Sequence, residues 1–294
     1  MKTSLKKNRV IAIVGATASG KTAYSIELAK KLDGEIISAD SRYVYKGLDI
    51  GTAKPNIKER DGVPHYMIDI VEPSVDYSAG LYVEQAKKYI EEISAKGKIP
   101  IVVGGTGLYF NILFDNYKLP KIEADWDLRE KLSSLDWDTL YNMLLGLDKD
   151  CANINIEKND KKKIIRVIEI LKLTGKTLKE VRSKGECEYD VEWIGLNFPR
   201  EELYDRINRR VDFMVDNGLL QETKSLISKY GCVHNIVDTI GYKEMLSYLN
   251  NELSFEDAIL KLKQNSRRYA KRQLTWFRRN DKINWNYYPD KKLK

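Results

Sequence analysis

Residues 10–22 read Val-Ile-Ala-Ile-Val-Gly-Ala-Thr-Ala-Ser-Gly-Lys-Thr. A short apolar run leads into the pattern Gly-x-x-x-x-Gly-Lys-Thr, and residues 23–32 continue with the apolar spacing of a helix. A strand, a glycine loop and a helix in this order direct backbone N–H groups and the positive end of the helix at an anion. The pattern predicts a phosphate-binding cradle, and the alternative is a decayed or purely structural loop. The cradle consists of Gly15, Ala16, Thr17, Ala18, Ser19, Gly20, Lys21 and Thr22.

Two side chains of the cradle have expected chemical roles. Lys21 is expected to reach the terminal phosphate oxygens, and the hydroxyl of Thr22 is expected to hold Mg²⁺. The pattern leaves open what molecule carries the phosphates.

Positive charge is concentrated at the C-terminal end of the chain. The net charge is +7, but residues 261–294 carry 12 Lys and Arg against 2 acidic residues, so the rest of the chain sums to −3. A nearly neutral body with one basic end favours a polyanionic partner. A solvated, highly charged terminal helix is the alternative.

Composition argues against several classes of protein. The basic N-terminus and the apolar run after it imitate a signal peptide, but the run is too short for one. No stretch approaches the roughly 18 apolar residues of a membrane span. The three cysteines form no C-x-x-C pair and there are only two histidines, which argues against a zinc site and a Ser–His triad. We expect a cytoplasmic protein that does not enter a membrane.

The first hundred residues alternate between strand and helix patterns. Apolar runs at residues 35–40 and 66–71 and from Ile99 onward predict strands, and residues 79–96 predict an amphipathic helix with Leu81 on its apolar stripe. Repeated strand–helix units predict an α/β fold, a P-loop-type parallel sheet covered by helices.

The carboxyl ends of parallel strands lie at one edge of a sheet, and ligands bind there. Asp40, Thr106 and the cradle each follow a predicted strand. We therefore expect them to converge on one crevice.

The predicted secondary structure changes after about residue 118. Helical patterns with polar breaks begin beyond Pro120 and end near Gly185, and they predict an all-helical insertion domain. We expect a core formed by residues 1–117 and 189–294, and an insertion formed by residues 118–188. In the second part of the core, residues 191–198 predict a strand, and helices are predicted at 201–216, 220–230, 242–250 and 255–280.

Two polar turns follow predicted strands. The carboxylate of Asp40 can accept a proton or anchor a metal-bound water, but Asp40 and Ser41 can equally cap the following segment. The glycine turn at residues 104–109 carries no carboxylate, which argues against an ordinary nucleotide hydrolase. The glycines and lysines of residues 45–55 either touch phosphate or form a turn.

The last long helix carries two stripes. Its predicted core stripe contains Ile259, Leu262, Tyr269, Gln273 and Trp276, and Lys261, Arg268, Arg272 and Arg279 form a nearly straight basic line. Such a line can follow the phosphates of a nucleic acid. Tyr269, Trp276 and Phe277 either stack on bases or belong to the core.

Four segments together resemble one family, the tRNA dimethylallyltransferases (isopentenyl-tRNA transferases), in a bacterial form. The segments are residues 15–22, 40–55, 104–109 and 267–278, and Asp-Ile-Gly-Thr-Ala-Lys-Pro at 49–55 is the most specific. Asn159-Asp160 with Arg166 and Glu169, residues 174–177 and residues 240–244 also fit the family pattern. The match spans essentially the whole chain.

The resemblance implies a reaction. Dimethylallyl diphosphate would give its five-carbon group to the N6 amine of the adenosine 3′ of the anticodon in tRNA, with release of diphosphate. Asp40 would act as general base or hydrogen-bond acceptor for the N6 amine, and Thr106 and Arg129 would be further catalytic residues. Lys21, Thr22, Thr106 and Mg²⁺ would neutralise the diphosphate, with Arg129 and Arg210 assisting.

The resemblance also implies contacts with the tRNA anticodon arm. They are assigned to Asp40, Ser41, Arg42, Tyr43, Lys162, Lys163, Ile164, Ile165, Arg166, Thr239, Ile240, Gly241, Tyr242, Lys243 and Glu244. Separately, we expect the protein to be a monomer. The sequence departs from the pattern at three places. Lys163 replaces an arginine and so provides a point charge in place of a bidentate contact, Ala16 replaces a proline, and Arg42-Tyr43 replace small or apolar residues.

Three other functions stay open at this point. A P-loop kinase for a small molecule or nucleotide would use the glycine loop but would leave the basic end unexplained. A nucleic-acid-binding protein would carry the cradle as a vestige. A prenyltransferase for free adenylate would not need the insertion or the basic end.

Overall fold

In the computed structural model, residues 7–115, 122, 124–153, 156, 158, 160–181 and 185–287 are described. Pro120, Asn159 and the lysines at 291, 292 and 294 lie outside them. The chain divides into two compact units, which are Met1–Phe114 with Glu188–Lys294, and Asp115–Cys187. The first is called the core unit below and the second the insertion unit.

The core unit contains a parallel sheet, which confirms the predicted α/β fold. The strands are β1 (Arg9–Gly15), β2 (Gly34–Ser38), β3 (His65–Tyr66), β4 (Ile99–Gly104), β5 (Asp190–Asn197) and β6 (Asn284–Tyr287). In the described part of the chain their order is β3-β2-β4-β1-β5-β6, and every pairing is parallel. All of β2 and all of β1 after Arg9 are buried, as expected for strands covered on both faces.

Helices make up most of the remaining described structure. They are α1 (Lys21–Leu32), α2 (Ala79–Ala95), α3 (Gly107–Phe114), α4 (Trp126–Ser133), α5 (Trp137–Leu147), α6 (Lys161–Thr174), α7 (Leu178–Val181), α8 (Arg200–Asp216), α9 (Leu219–Tyr230), α10 (His234–Val237), α11 (Tyr242–Leu249) and α12 (Phe255–Phe277). Among these helices, none is long and apolar enough to cross a lipid bilayer.

Local sequence signals explain where several helices begin and end. The side chain of Ser78 accepts a hydrogen bond from the Leu81 amide at the start of α2, and Ser254 does the same for Asp257 at the start of α12. Gly175 ends α6 with φ 63°, a left-handed conformation that suits glycine.

The predicted strand at residues 66–71 is wrong beyond its first residue. Met67 and Asp69 have φ values of 64° and 56°, which stop the extended backbone after Tyr66. Val71 forms only an isolated bridge with Tyr45.

Two predicted core positions are also wrong. Leu81 on α2 is 45% exposed and Trp276 on α12 is 37% exposed. The buried stripe of α12 instead runs through Ala258, Leu262, Ala270, Gln273 and Phe277. The predicted basic line is exposed, and its last member, Arg279, lies just beyond the end of this helix.

The insertion unit has its own apolar core. Helices α4 to α7 and a 3₁₀ turn at Lys149–Asn153 make up its regular structure among the described residues. Leu132, Leu140, Leu144, Ile164 and Ile168 are buried together between these helices. The unit spans Asp115–Cys187, and the range expected from the sequence is 118–188.

Candidate active site

The loop between β1 and α1 has the backbone of an anion-binding cradle. Ala18 and Gly20 have φ values of 63° and 80°, and such left-handed residues turn successive N–H groups toward one point. At Gly15 a Cβ atom would lie 2.4 Å from the carbonyl oxygen of Leu196, so only glycine fits against β5. The loop geometry is the one expected from the glycine pattern.

Lys21 is held in the cradle, where its surroundings disfavour the protonated form. Its Nζ atom donates a hydrogen bond to the carbonyl oxygen of Ala16 at 2.6 Å. Burial and, to a lesser extent, the charge of Arg210 lower the pKa of Lys21 to about 7, although the nearby Asp40 opposes this shift. A bound anion would favour the protonated lysine.

Two buried polar atoms at this site lack a hydrogen-bond partner within the described residues. They are Oγ of Ser19 in the cradle and Nε of Arg210 on α8. A buried donor without a partner is costly, so such atoms commonly mark the place of a water, ion or ligand. Both are hydrogen-bond donors suited to phosphate oxygens.

The ends of β2 and β4 are tied together beside the cradle. The amide of Thr106 donates to the carbonyl oxygen of Ala39 at 3.2 Å, and Oγ1 of Thr106 accepts from the amide of Ser41 at 3.0 Å. Oδ1 of Asp40 accepts from the amide of Arg42 at 2.9 Å. Asp40 therefore has the turn-forming role that was left open, but this contact uses only one carboxylate oxygen.

One cavity of about 790 Å³ brings the predicted groups together. Its walls include residues 17–22 of the cradle, residues 40–43, Arg210, Thr239 and Ile240. The expected convergence of Asp40 with the cradle is confirmed. Gly15 and Ala16 lie behind the lining, and Thr106 braces it through Ser41.

Sequence reasoning missed two arginines of the cavity. Arg206 and Arg209 on α8 line it with Arg210. Nε of Arg206 donates to the carbonyl oxygen of Ala18 at 2.9 Å, and its guanidinium lies 4.3 Å from the ring centre of Phe198. The i, i+4 spacing of Arg206 and Arg210 was the available signal.

Residues 45–55 form a braced turn, which is one of the two roles left open for them, and Gly51 and Thr52 of this turn also line the cavity. Lys54 is buried, and its Nζ atom donates to the carbonyl oxygen of Tyr45 at 2.7 Å, to Asp49 at 2.7 Å and to Asp69 at 2.5 Å. The lysine is therefore part of the support of the turn. The hydroxyl of Tyr43 donates to the carbonyl oxygen of Ala53 at 2.8 Å, which connects the turn to the cavity wall.

Burial corrects part of the tRNA assignment in residues 239–244. Tyr242 is fully buried and donates to Glu222 at 2.6 Å. Glu244 is 2% exposed and accepts from the amide of Gly241 at 2.7 Å and from Asn265 at 2.6 Å. The side chains of Tyr242 and Glu244 therefore support the site from within, and a direct RNA contact by them is not available.

The insertion unit requires the same correction at two positions. Ile164 and Ile165 are buried in its core, so their side chains do not face a ligand. Lys162 and Lys163 are exposed, as the assignment requires.

A buried carboxylate binds two arginines of the insertion unit. Arg129 donates to both oxygens of Glu169 at 2.9 Å, and Arg166 donates to the same carboxylate. These contacts outweigh burial and lower the pKa of Glu169. The structure thus places Arg129 in an ion pair within its own unit.

The described residues contain no group of three or more His, Cys, Asp or Glu side chains suited to a metal ion. Mg²⁺ at a phosphate site commonly keeps waters and uses few protein ligands besides the phosphates. Thr22, exposed at the first turn of α1, and the nearby carboxylate of Asp40 fit that donor set.

Known proteins resemble this chain over nearly its whole length. A tRNA dimethylallyltransferase of Halalkalibacterium halodurans is 46% identical over 286 residues, which are 95% of this chain and 91% of the relative. A protein of the same name from Acetivibrio thermocellus is 44% identical over 286 residues, with the same coverage.

Solved structures show the same relationship. The tRNA isopentenylpyrophosphate transferase of Bacillus halodurans is 45% identical, with a TM-score of 0.74 and coverage of 98% of this chain and 92% of that one. A eukaryotic dimethylallyltransferase acting on tRNA is 34% identical, with a TM-score of 0.82 and coverage of 95% and 74%. The model of the IPP transferase family matches residues 43–280. The chain belongs to the IPP transferase family.

Proposed function

We propose that this protein transfers the dimethylallyl group of dimethylallyl diphosphate to N6 of the adenosine 3′ of the anticodon in tRNA, releasing diphosphate. The observation that carries the proposal is the shared cavity of Lys21 and Asp40, where a phosphate cradle and a carboxylate line one space. A leaving group and a nucleophile need to be held in such a common space for a transfer reaction.

The cradle would bind the diphosphate. Of the backbone amides of residues 17–22, those of Thr17 and Ser19 are already bonded within the protein, and the others would face the diphosphate. Lys21 supplies a positive charge, and Ser19 and Arg210 supply side-chain donors that are buried without a partner among the described residues. Thr22 would hold Mg²⁺, which supplies further neutralisation of the leaving group. Arg129 is proposed as an assisting cation and would first have to share its ion pair with Glu169.

Asp40 would accept the proton of the attacking amine. In the reaction, the N6–C1 bond forms, the bond between C1 and the diphosphate oxygen breaks, and one N6 proton passes to the carboxylate. An aryl amine is a weak nucleophile, so positioning and proton removal matter. Thr106 would keep Asp40 in place through the Ser41 amide, which donates to its hydroxyl.

The walls of the cavity suit an allylic group. Ile207, Val211, Met214, Ile240 and Leu262 line it together with the polar groups. Apolar side chains around the reacting carbon exclude water, and water would otherwise capture an electron-poor allylic carbon.

The tRNA would be bound by polar residues of the original assignment that are at least partly exposed, and by the basic face of α12. In the core unit these are residues 40–43, Lys243 and the basic line, and in the insertion unit Lys162, Lys163 and Arg166. The target base has to leave its stack to reach the cavity. We propose that the enzyme acts as a monomer in the cytoplasm, where tRNA is found.

The test is a transfer assay with unmodified tRNA, dimethylallyl diphosphate and Mg²⁺, read by mass spectrometry of the anticodon arm. We expect a gain of one dimethylallyl unit on the adenosine 3′ of the anticodon, and no gain on tRNA with guanosine there. Absence of the product would overturn the proposal. ATP-dependent phosphorylation without tRNA would favour a kinase, tRNA binding without product a binding protein, and modified free adenylate a nucleotide prenyltransferase.

A further inference from the structure

Gln273 connects two loops of the active site from a distant helix. It lies on the buried stripe of α12 and is 6% exposed. Its Oε1 atom accepts from the amide of Thr17 in the cradle at 2.8 Å, and its Nε2 atom donates to the carbonyl oxygen of Gly105 at 3.0 Å. Both halves of the amide are thus used, each by the backbone of a different loop.

The contact with Gly105 is close because residue 105 has no side chain. A Cβ atom there would lie 2.1 Å from Nε2 of Gln273. The absence of a side chain therefore permits the amide to reach the backbone, which explains one of the two adjacent glycines at the end of β4 on grounds separate from ligand binding.

A continuous series of contacts leads from this amide to Asp40. Gly105 is followed by Thr106, whose hydroxyl accepts from the amide of Ser41, and Ser41 follows Asp40 in the chain. Gln273 thereby joins the cradle at Thr17 to the turn that carries the carboxylate.

The sheet alone does not fix the distance between the cradle and the glycine turn. Strands β1 and β4 are in register up to Val14 and Gly104, and the cradle and the glycine turn lie beyond these last paired residues. Past that point the two loops are free to separate unless something bridges them. Ser19 cannot be that bridge, because its Oγ has no partner among the described residues.

We propose that Gln273 is a positioning residue that sets the distance between the diphosphate cradle and Asp40. The inference rests on the proposed function, in which the cradle holds the leaving group and Asp40 receives the proton of the nucleophile. A misplacement of about 1 Å between reacting groups can cost on the order of 100-fold in rate.

The test uses Gln273→Met, which keeps the length of the side chain and removes both hydrogen bonds. We expect kcat to fall about 10- to 100-fold, with KM for dimethylallyl diphosphate and Kd for inorganic diphosphate and tRNA within about 3-fold of wild type. Rates are divided by the folded fraction, measured by thermal unfolding. Gln264→Met on the same helix is the matched control and should leave all these values unchanged.

The kinetic results decide whether Gln273 is a positioning residue. A lower kcat per folded molecule with unchanged Kd values supports positioning. A wild-type kcat, or a loss that disappears on division by the folded fraction, overturns it.

The positioning role of Gln273 can also be tested separately from the proposed function. If the wild-type protein transfers nothing, the proposed function fails, and the bridge is then judged by amide hydrogen exchange at Thr17. Faster exchange in Gln273→Met at unchanged exchange in the centre of β1 supports the bridge, and unchanged exchange at Thr17 overturns it.

Discussion

The Nη2 atom of Arg210 donates to the carbonyl oxygen of Thr52 at 2.7 Å. This contact holds α8 to the braced turn of residues 45–55, and Arg210 also lines the cavity. The Nε atom of Arg210 is buried there without a partner among the described residues. The turn thus positions a cation that the proposed reaction needs beside its leaving group.

Arg210→Met should slow the reaction because it removes a positive charge beside the diphosphate leaving group. We expect kcat/KM for dimethylallyl diphosphate to fall about 100-fold, because the group stabilises charge that grows as the C–O bond breaks. Steady-state kinetics with saturating tRNA measure the effect. Arg200→Met, at the start of the same helix, is the control, and an equal loss in both variants would argue against a specific role.

Asp40→Asn should remove the proton acceptor and keep the turn, since the amide oxygen can still accept from the Arg42 amide. We expect kcat to fall about 10²- to 10⁴-fold, the usual range for a lost general base. Binding of inorganic diphosphate, measured by calorimetry, should persist. Normal turnover of Asp40→Asn, compared with the exposed control Asp216→Asn, would reject the assigned role.

Diphosphate affinity should depend on the protonation of Lys21. The pKa of Lys21 in the free protein is about 7, below its usual 10.5, so the lysine loses its proton as pH rises through neutrality. A bound anion favours the charged form, and affinity should therefore fall above pH 7, by up to about 10-fold per pH unit.

The control for this prediction is Lys21→Met, which should remove that component and leave only the titration of diphosphate itself. Calorimetry from pH 6 to about pH 9 compares the two proteins. Parallel pH profiles for them would contradict the prediction.

The lowered pKa of Lys21 also affects the stability of the folded protein. The unfolded chain binds more protons at Lys21 between pH 7 and 10.5, so this residue makes the free energy of unfolding rise with pH in that window.

Glu222→Gln should loosen the turn of residues 45–55. The carboxylate accepts from the amides of Ile50 at 2.8 Å and Gly51 at 3.0 Å, and from the Tyr242 hydroxyl at 2.6 Å. The new amide group has a single acceptor oxygen, so at least one amide loses its partner, at a cost of about 1–3 kcal/mol in the free energy of unfolding.

Urea unfolding measures this loss, with the exposed Glu252→Gln as the control. Tyr242→Phe removes only one of the three contacts and should cost about 1 kcal/mol. A double-mutant cycle that gave no coupling between the two sites would show that their contact adds nothing to stability.

Much of the local structure follows from the sequence. The helices at residues 79–96 and 201–216 were predicted within one or two residues of α2 and α8, because their apolar spacing repeats with the helical period. Helix α3 was not predicted, since most of its eight residues are apolar on all sides and such a run has no period. Strand β6 was missed because it exists only through its pairing with β5.

The sequence by itself determined the phosphate cradle, the alternation of strand and helix, and the exposed basic line of α12. These depend on neighbouring residues, whose backbone preferences and periodic burial are local properties. Only the tertiary structure decided that Arg210 contacts Thr52, that Lys54 supports a turn, that Tyr242 and Glu244 are buried, and that Gln273 reaches Thr17. These pairs are far apart in the chain or depend on how elements pack, and nothing in the local pattern specifies which buried polar group will meet which partner.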